Sequence, residues 1–254
     1  MRPFDARTDL LMLDFDGVIT QSIDECLVSG YNAYADYCGN SRIEKLSQLD
    51  SGWIESARKM RNFIRNGEDY VYIAHALETG KPVTDQEQFD VFKQEHIELG
   101  QIFFDRFYQA RSSFAESRPH QWAELSPLYA GMPVFLKQYE YKHNLFIVTT
   151  KPLLFVKKIL SANSIELRQE NLFDTRDGRS KQEIINDILH QRSLQPSCCY
   201  FLDDQVDTVI RVKPAGIHTI LAEWGYNNRE QQKRARDLDI PVFTLEQFFQ
   251  FFSR

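Results

Sequence analysis

Short runs of apolar residues near both ends of the chain predict the buried strands of a parallel sheet. The clearest runs are residues 10–13, 145–148 and 198–202, and residues 218–221 and 241–243 are weaker candidates. Uninterrupted apolar runs of this length are typical of strands that are covered on both faces. Beyond Gly131 the runs alternate with helical patterns. This alternation favours an α/β fold with a doubly wound parallel sheet.

The stretch between the first two runs, residues 21–128, shows helical periodicity and few strand signals. Within it, Thr84-Asp85-Gln86-Glu87 has the pattern of a capping box. This pattern predicts a helix that extends to about Ser117, with a kink at Gly100. We therefore predict two domains: residues 1–20 and 129–254 form an α/β core, and residues 21–128 form an inserted α-helical domain.

Composition and charge exclude several classes of protein. With 254 residues, of which 43% are hydrophobic and 26% charged, the chain can bury a core and is not disordered. A net charge of -6 argues against a nucleic-acid partner, which would normally need a basic surface. No apolar stretch approaches the length of a membrane span. The N-terminus has no signal-peptide pattern and the four cysteines have no disulfide-framework spacing, so we expect a cytoplasmic protein.

Polar side chains follow three of the predicted strands. Asp14 and Asp16 follow the first, Thr149 ends the second and Asp203 follows the third. Ligands of doubly wound sheets bind beyond the carboxyl ends of the strands. Two carboxylates on the same side of an extended segment repel each other unless they share a proton or a cation, and carboxylate oxygens suit Mg²⁺. The alternative is that these residues are ordinary turn formers and helix caps.

Together these positions resemble the four motifs of the haloacid dehalogenase superfamily of aspartate-nucleophile phosphatases. The matching segments are Asp14-Phe15-Asp16-Gly17-Val18-Ile19, the strand ending at Thr149, Lys181 at the start of a helix, and Asp203 with Asp207. Residues 131–136 and 224–227 are similar to segments of the phosphoglycolate-phosphatase-like members. The chain departs from the family pattern at Leu202, Thr150 and Gln182, but no departure removes a charged or hydroxyl group that the chemistry needs.

The resemblance implies a magnesium-dependent phosphatase that hydrolyses a small phosphorylated metabolite through an aspartyl-phosphate. Asp14 would be the nucleophile and Asp16 the general acid and base, while Thr149, Thr150 and Lys181 would bind the phosphoryl group. Mg²⁺ would be held by Asp14, the backbone carbonyl of Asp16 and Asp203, with Asp207 orienting these ligands or binding through water. The doublet Asp203-Asp204 leaves the direct ligand open, although the spacing to Asp207 favours Asp203.

The inserted helical domain occupies the place where members of this family carry a cap over the active site. Arg58, Arg61 and Arg65 recur there at helical spacing and could bind an anionic part of the substrate. A solvated basic helix face is the simpler interpretation. Two further functions stay open: a sugar phosphomutase that uses the same residues, and a non-catalytic phosphate-binding protein. The protein would be a monomer or a homodimer, with no membrane partner.

Overall fold

The computed structural model describes residues 1–81 and 83–253. It divides the chain into two compact units, one of Met1–Gln21 with Leu128–Arg254 and one of Ser22–Pro127. The domain boundaries expected from the sequence lie within one residue of this division. In the described part of the chain, no helix has both the length and the apolar character needed to cross a membrane.

The first unit is built on a six-stranded parallel sheet. Its strands are β1 (Leu10–Leu13), β2 (Leu145–Thr149), β3 (Leu172–Asp174), β4 (Cys199–Asp203), β5 (His218–Ala222) and β6 (Val242–Phe243). They are ordered β3-β2-β1-β4-β5-β6, so the chain winds outward from β1 first to one side and then to the other. This arrangement confirms the doubly wound α/β fold, and it places the switch in winding direction beside β1 and β4.

The pairing register aligns the carboxyl ends of the central strands. Leu13 pairs with Ile147 of β2 and with Leu202 of β4. The chain therefore leaves β1 and β4 at the same level, and the amide of Asp14 donates to the carbonyl of Leu202 at 2.9 Å. Every residue of β1 is buried, as its unbroken apolar character predicts. Residues that directly follow these strands are consequently brought together at one edge of the sheet.

The second unit is helical. Its helices are α1 (Ile23–Cys38), α2 (Ser51–Lys59), α3 (Asp69–Glu78), α4 (Gln86–Glu95), α5 (Gly100–Ser117) and α6 (Pro119–Glu124). The single long helix predicted from Thr84 onward is wrong, because α4 and α5 are separated by residues 96–99. His96 has non-helical dihedral angles, and its carbonyl accepts a hydrogen bond from the Tyr72 hydroxyl at 3.0 Å. A side chain distant in sequence thus satisfies a backbone group at the break.

A buried polar network joins α1, α5 and α6. Glu25 Oε1 accepts hydrogen bonds from Ser29 Oγ at 2.8 Å, Arg111 Nε at 2.9 Å and Trp122 Nε1 at 3.0 Å. Glu25 Oε2 accepts a second bond from Arg111, at 3.0 Å. All four side chains are buried. Because a buried charge is costly without partners, this network ties the first and last helices of the unit to one another.

The remaining helices belong to the unit that contains the sheet. They are α7 (Met132–Lys137), α8 (Leu153–Ala162), α9 (Lys181–Gln191), α10 (Val206–Val212), α11 (Arg229–Asp237) and α12 (Leu245–Phe252). Ile184 and Ile188 of α9 share an apolar cluster with Met12 of β1. This packing holds the first residue of α9, Lys181, at the level where the strands end.

Candidate active site

Three buried acids form a cluster where the central strands end. Within residues 1–81 and 83–253, Asp14, Asp203 and Asp204 each offer a carboxylate oxygen, and these oxygens lie within 4.8 Å of one another. All three residues are buried. Asp14 follows β1, whereas Asp203 ends β4 and Asp204 begins the next loop. Residues about 190 positions apart in the sequence therefore meet in one place because β1 and β4 are neighbours.

Lys181 lies between two of the acids. Its Nζ is 2.9 Å from Asp14 Oδ1 and 2.7 Å from Asp203 Oδ2. Lys181 is the first residue of α9, and the helix start is fixed by a reciprocal capping box between Ser180 and Glu183. Burial works to lower the pKa of Lys181, but Asp14 and Asp203 outweigh it and the pKa is raised. The side chain is therefore a permanent cation beside the predicted nucleophile.

The environment of Asp14 disfavours an isolated carboxylate. Burial raises its pKa to about 6, the negative charges of Asp203 and Asp16 act in the same direction, and Lys181 opposes them. The carboxylates of Asp14, Asp203 and Asp204 outnumber the one ammonium, that of Lys181, which contacts Asp14 and Asp203. Hard oxygen ligands with excess negative charge are the donor set that Mg²⁺ prefers. Asp14, Asp203 and Asp204 thus fit a divalent cation, which would offset the repulsion between them.

Two glycines make room for Asp204. A Cβ atom on Gly17 would lie 2.1 Å from Asp204 Oδ2, and one on Gly225 would lie 2.3 Å from Asp204 Cβ. The same Asp204 Oδ2 accepts a hydrogen bond from the amide of Tyr226 at 2.7 Å. Trp224 Nε1 also donates to the carbonyl of Val18 at 3.0 Å. The segment 224–227, which resembles the family in sequence, therefore packs against the loop of residues 14–19 and holds Asp204 in place.

Asp207 does not lie in the acidic cluster. It stands in the first turn of α10, and its carboxylate accepts a hydrogen bond from Arg234 Nη1 at 2.7 Å. Its side chain is 37% exposed. Asp204, which the sequence left as an alternative to Asp203, lies in the cluster with it. The chain bends at Asp204 before α10 begins, so that Asp203 and Asp204 can both face Asp14.

Asp16, the predicted acid and base, contacts Lys151, which was not among the site residues predicted from the sequence. Lys151 Nζ lies 3.2 Å from Asp16 Oδ1 and 3.4 Å from Asp16 Oδ2. Thr149 is buried at the end of β2, whereas Thr150 is exposed. The hydroxyl oxygen of Thr149 accepts a hydrogen bond from the amide of Lys151 at 3.1 Å. The position of Lys151 directly after the two threonines is the sequence signal that could have identified it.

The three arginines of the helical unit do not share one solvated face. Arg58 pairs with Asp24, with Nη2 and Oδ1 2.6 Å apart. Arg61 is buried, with its guanidinium over the ring of Tyr70. Arg65 donates to the carbonyls of residues 62 and 64, each at 3.0 Å. Because α2 ends at Lys59, only Arg58 of the three belongs to that helix, and the interpretation as a solvated basic face is wrong.

Comparison with solved structures identifies the fold. A haloacid dehalogenase-like hydrolase from Streptococcus pneumoniae has a TM-score of 0.58 at 12% identity, covering 96% of this chain and 97% of that one. A predicted phosphoglycolate phosphatase from Haemophilus somnus 129PT has a TM-score of 0.59 at 15% identity, covering 93% and 94%. A haloacid dehalogenase family hydrolase from Deinococcus radiodurans R1, with bound phosphate and sodium, has a TM-score of 0.55 at 17% identity, covering 94% and 92%.

Sequence comparisons add no further relative. No protein-family model matches the chain, and no curated protein matches it. At the low identities of the structural matches the likeness shows the fold alone. The chain has the haloacid dehalogenase-like fold, and the similarity extends to a structure named as a predicted phosphoglycolate phosphatase. The resemblance found in the motifs is confirmed at this level.

Proposed function

We propose that this chain, which has the haloacid dehalogenase-like fold, is a magnesium-dependent phosphatase that hydrolyses a small phosphomonoester through an aspartyl-phosphate. The observation that carries the proposal is the meeting of Asp14, Asp203 and Asp204 at the carboxyl ends of β1 and β4, with Lys181 in contact with the first two. Proteins of this fold named as phosphatases, and one that contains bound phosphate, support the same chemistry.

The first step is attack on phosphorus by the carboxylate of Asp14. An anionic nucleophile approaches an anionic ester only if charge is neutralised, and the Lys181 ammonium, 2.9 Å from Asp14 Oδ1, supplies part of that neutralisation. Mg²⁺, when held by Asp14, Asp203 and Asp204, would polarise the phosphoryl group and screen its charge. The bond from Asp14 to phosphorus forms as the bond to the leaving oxygen breaks. Asp16 donates the proton that the leaving oxygen needs.

The second step returns Asp14 to its starting state. Asp16, now a carboxylate, takes a proton from water. The oxygen of that water attacks phosphorus as the bond between phosphorus and Asp14 breaks. Thr149 donates its hydroxyl hydrogen to a phosphoryl oxygen in both steps, while its own oxygen accepts from the amide of Lys151. The products are inorganic phosphate and an alcohol. A role of the helical unit as a cap stays a prediction.

The proposal is tested by incubating purified protein with Mg²⁺ and a panel of phosphorylated metabolites, with p-nitrophenyl phosphate as a general substrate. We expect release of inorganic phosphate that stops on chelation and returns with Mg²⁺. Asp14→Asn should lower turnover by at least about 10³-fold, because the carboxamide is not a nucleophile, while the unfolding transition is preserved. Isomerised sugar phosphate without net phosphate release would indicate a phosphomutase. No reaction with any substrate, or full activity of the Asp14→Asn variant, would refute the proposal.

A further inference from the structure

Lys151 is a buried cation that the mechanism above does not use. Its side chain has no exposed surface, and its Nζ contacts both carboxylate oxygens of Asp16, at 3.2 and 3.4 Å. Asp16 itself is partly exposed, with 21% of its side chain accessible. A buried ammonium is costly unless it is paired, so Lys151 has a strong reason to remain beside this carboxylate. Both residues belong to the unit that contains the sheet.

We propose that Lys151 is a positioning residue that holds the Asp16 carboxylate in the orientation needed for proton transfer; the inference rests on the proposed function. Asp16 lies in the loop that follows β1, where its backbone forms an isolated bridge with Thr20. A contact to each of its two oxygens limits rotation of the carboxylate about its last bond. In this role Lys151 transfers no proton.

The backbone of the same residue orients a second group of the site. The amide of Lys151 donates to Thr149 Oγ1 at 3.1 Å, so the hydroxyl hydrogen of Thr149 is directed elsewhere and is available to a phosphoryl oxygen. A substitution at position 151 keeps this amide. Variants of the side chain therefore test the contact with Asp16 separately from the contact with Thr149.

The expected effect depends on the leaving group. Misplacing a catalytic group by a fraction of an ångström to 1 Å can lower the rate by up to about 10²-fold. Phenyl phosphate has a more basic leaving oxygen than p-nitrophenyl phosphate, and it therefore depends more on the proton from Asp16. The two esters have similar shapes, so a difference between them reports on protonation rather than on binding.

The test compares Lys151→Met, Lys151→Arg, Asp16→Asn and the double variant Asp16→Asn/Lys151→Met on both esters. Lys151→Met should lower kcat for phenyl phosphate by about 10- to 100-fold, with a smaller loss for p-nitrophenyl phosphate and KM changed by less than about threefold. Lys151→Arg should recover part of the loss. In the Asp16→Asn protein, Lys151→Met should add less than about threefold, because the group that Lys151 positions is already inactive. Lys157→Met, an exposed change on α8, is the control and should have no effect.

Equal losses from Lys151→Met with and without the Asp16 carboxylate would overturn the proposal, as would equal losses on the two esters. Urea denaturation separates this failure from a failure of the proposed function. If the ion pair exists, Lys151→Met should lower the denaturation midpoint of the wild-type protein more than that of the Asp16→Asn protein, in which the contact with the carboxylate is already lost. A wild-type protein without phosphatase activity would refute the function while this stability coupling remained. If Lys151→Met does not unfold cooperatively, Lys151→Gln replaces it in every comparison.

Discussion

Replacement of Gly225 by alanine should weaken Mg²⁺ binding more than it weakens the fold. The new Cβ would lie 2.3 Å from Asp204 Cβ and 2.6 Å from the carbonyl oxygen of Gly17. Carbon atoms in contact normally lie about 3.5 Å apart. Asp204 and the loop of residues 14–19 must therefore each move away from residue 225 by about 1 Å. The hydrogen bond from the Tyr226 amide to Asp204 Oδ2, 2.7 Å long, cannot be kept unchanged during this movement.

The magnitudes follow from this displacement. Overpacking of this kind costs about 1–3 kcal/mol of stability, which a chain of this size tolerates. Loss of the groups that orient a metal ligand typically lowers metal affinity by about 10- to 100-fold. We therefore expect the Gly225→Ala variant to fold, with a dissociation constant for Mg²⁺ raised by about 10- to 100-fold.

Isothermal titration calorimetry with MgCl₂, in the absence of any phosphate ester, measures this affinity directly. The matched control is Gly216→Ala, which lies before β5 at the opposite end of the strand. Gly216 has a φ of +81° and its added Cβ would meet Pro196 Cβ at an ordinary 3.5 Å, so the substitution strains the backbone without touching the acidic cluster. It should lower the denaturation midpoint and leave Mg²⁺ affinity unchanged. Wild-type Mg²⁺ affinity in a folded Gly225→Ala variant would show that the position of Asp204 does not matter to the ion.

Two further predictions test other parts of the structure. Asp204→Asn should lower Mg²⁺ affinity by more than about tenfold, whereas Asp207→Asn should leave it unchanged in calorimetry, because Asp207 pairs with Arg234 outside the cluster. A larger loss of Mg²⁺ affinity from Asp207→Asn than from Asp204→Asn would instead support the pair Asp203 and Asp207, which the sequence spacing favours. Glu25→Gln should destabilise the chain by about 3–5 kcal/mol in urea denaturation, since Arg111 stays buried without its anion. Glu55, which forms an exposed ion pair with Lys59, provides the control. Glu55→Gln should not change the urea denaturation midpoint. A wild-type midpoint for Glu25→Gln would contradict the assigned role of the network.

Much of the site geometry could be anticipated because it depends on strand direction. A strand that is buried on both faces must be apolar without interruption, so β1, β2 and β4 are visible as runs in the sequence. Parallel strands end at one edge of the sheet, and polar residues directly after such runs meet there. This reasoning places Asp14, Thr149 and Asp203 at the carboxyl ends of adjacent strands, which is where the structure has them.

Other features of the site depend on loops whose direction the sequence does not encode locally. Spacing favoured Asp203 with Asp207, but the bend after β4 turns Asp204 toward Asp14 and the first turn of α10 places Asp207 beside Arg234. Asp204 is held in the cluster because Gly17 and the segment 224–227, from distant parts of the chain, both pack against it. Sequence spacing cannot predict such a contact, because it requires the relative positions of three loops.

The amino-acid sequence by itself determined β1, β2 and β4, their burial and the polar residues at their ends, because these follow from short-range hydrophobic patterning and chain direction. It did not indicate β3 (Leu172–Asp174), which pairs with β2 at one side of the sheet. Only the tertiary structure decided that Lys151 faces Asp16, that Asp204 joins the cluster, and that the helix predicted from Thr84 breaks where Tyr72 binds the carbonyl of His96. Each of these depends on partners far away in the chain. Desolvation and hydrogen bonding between such partners outweigh the local preferences that a sequence pattern reports.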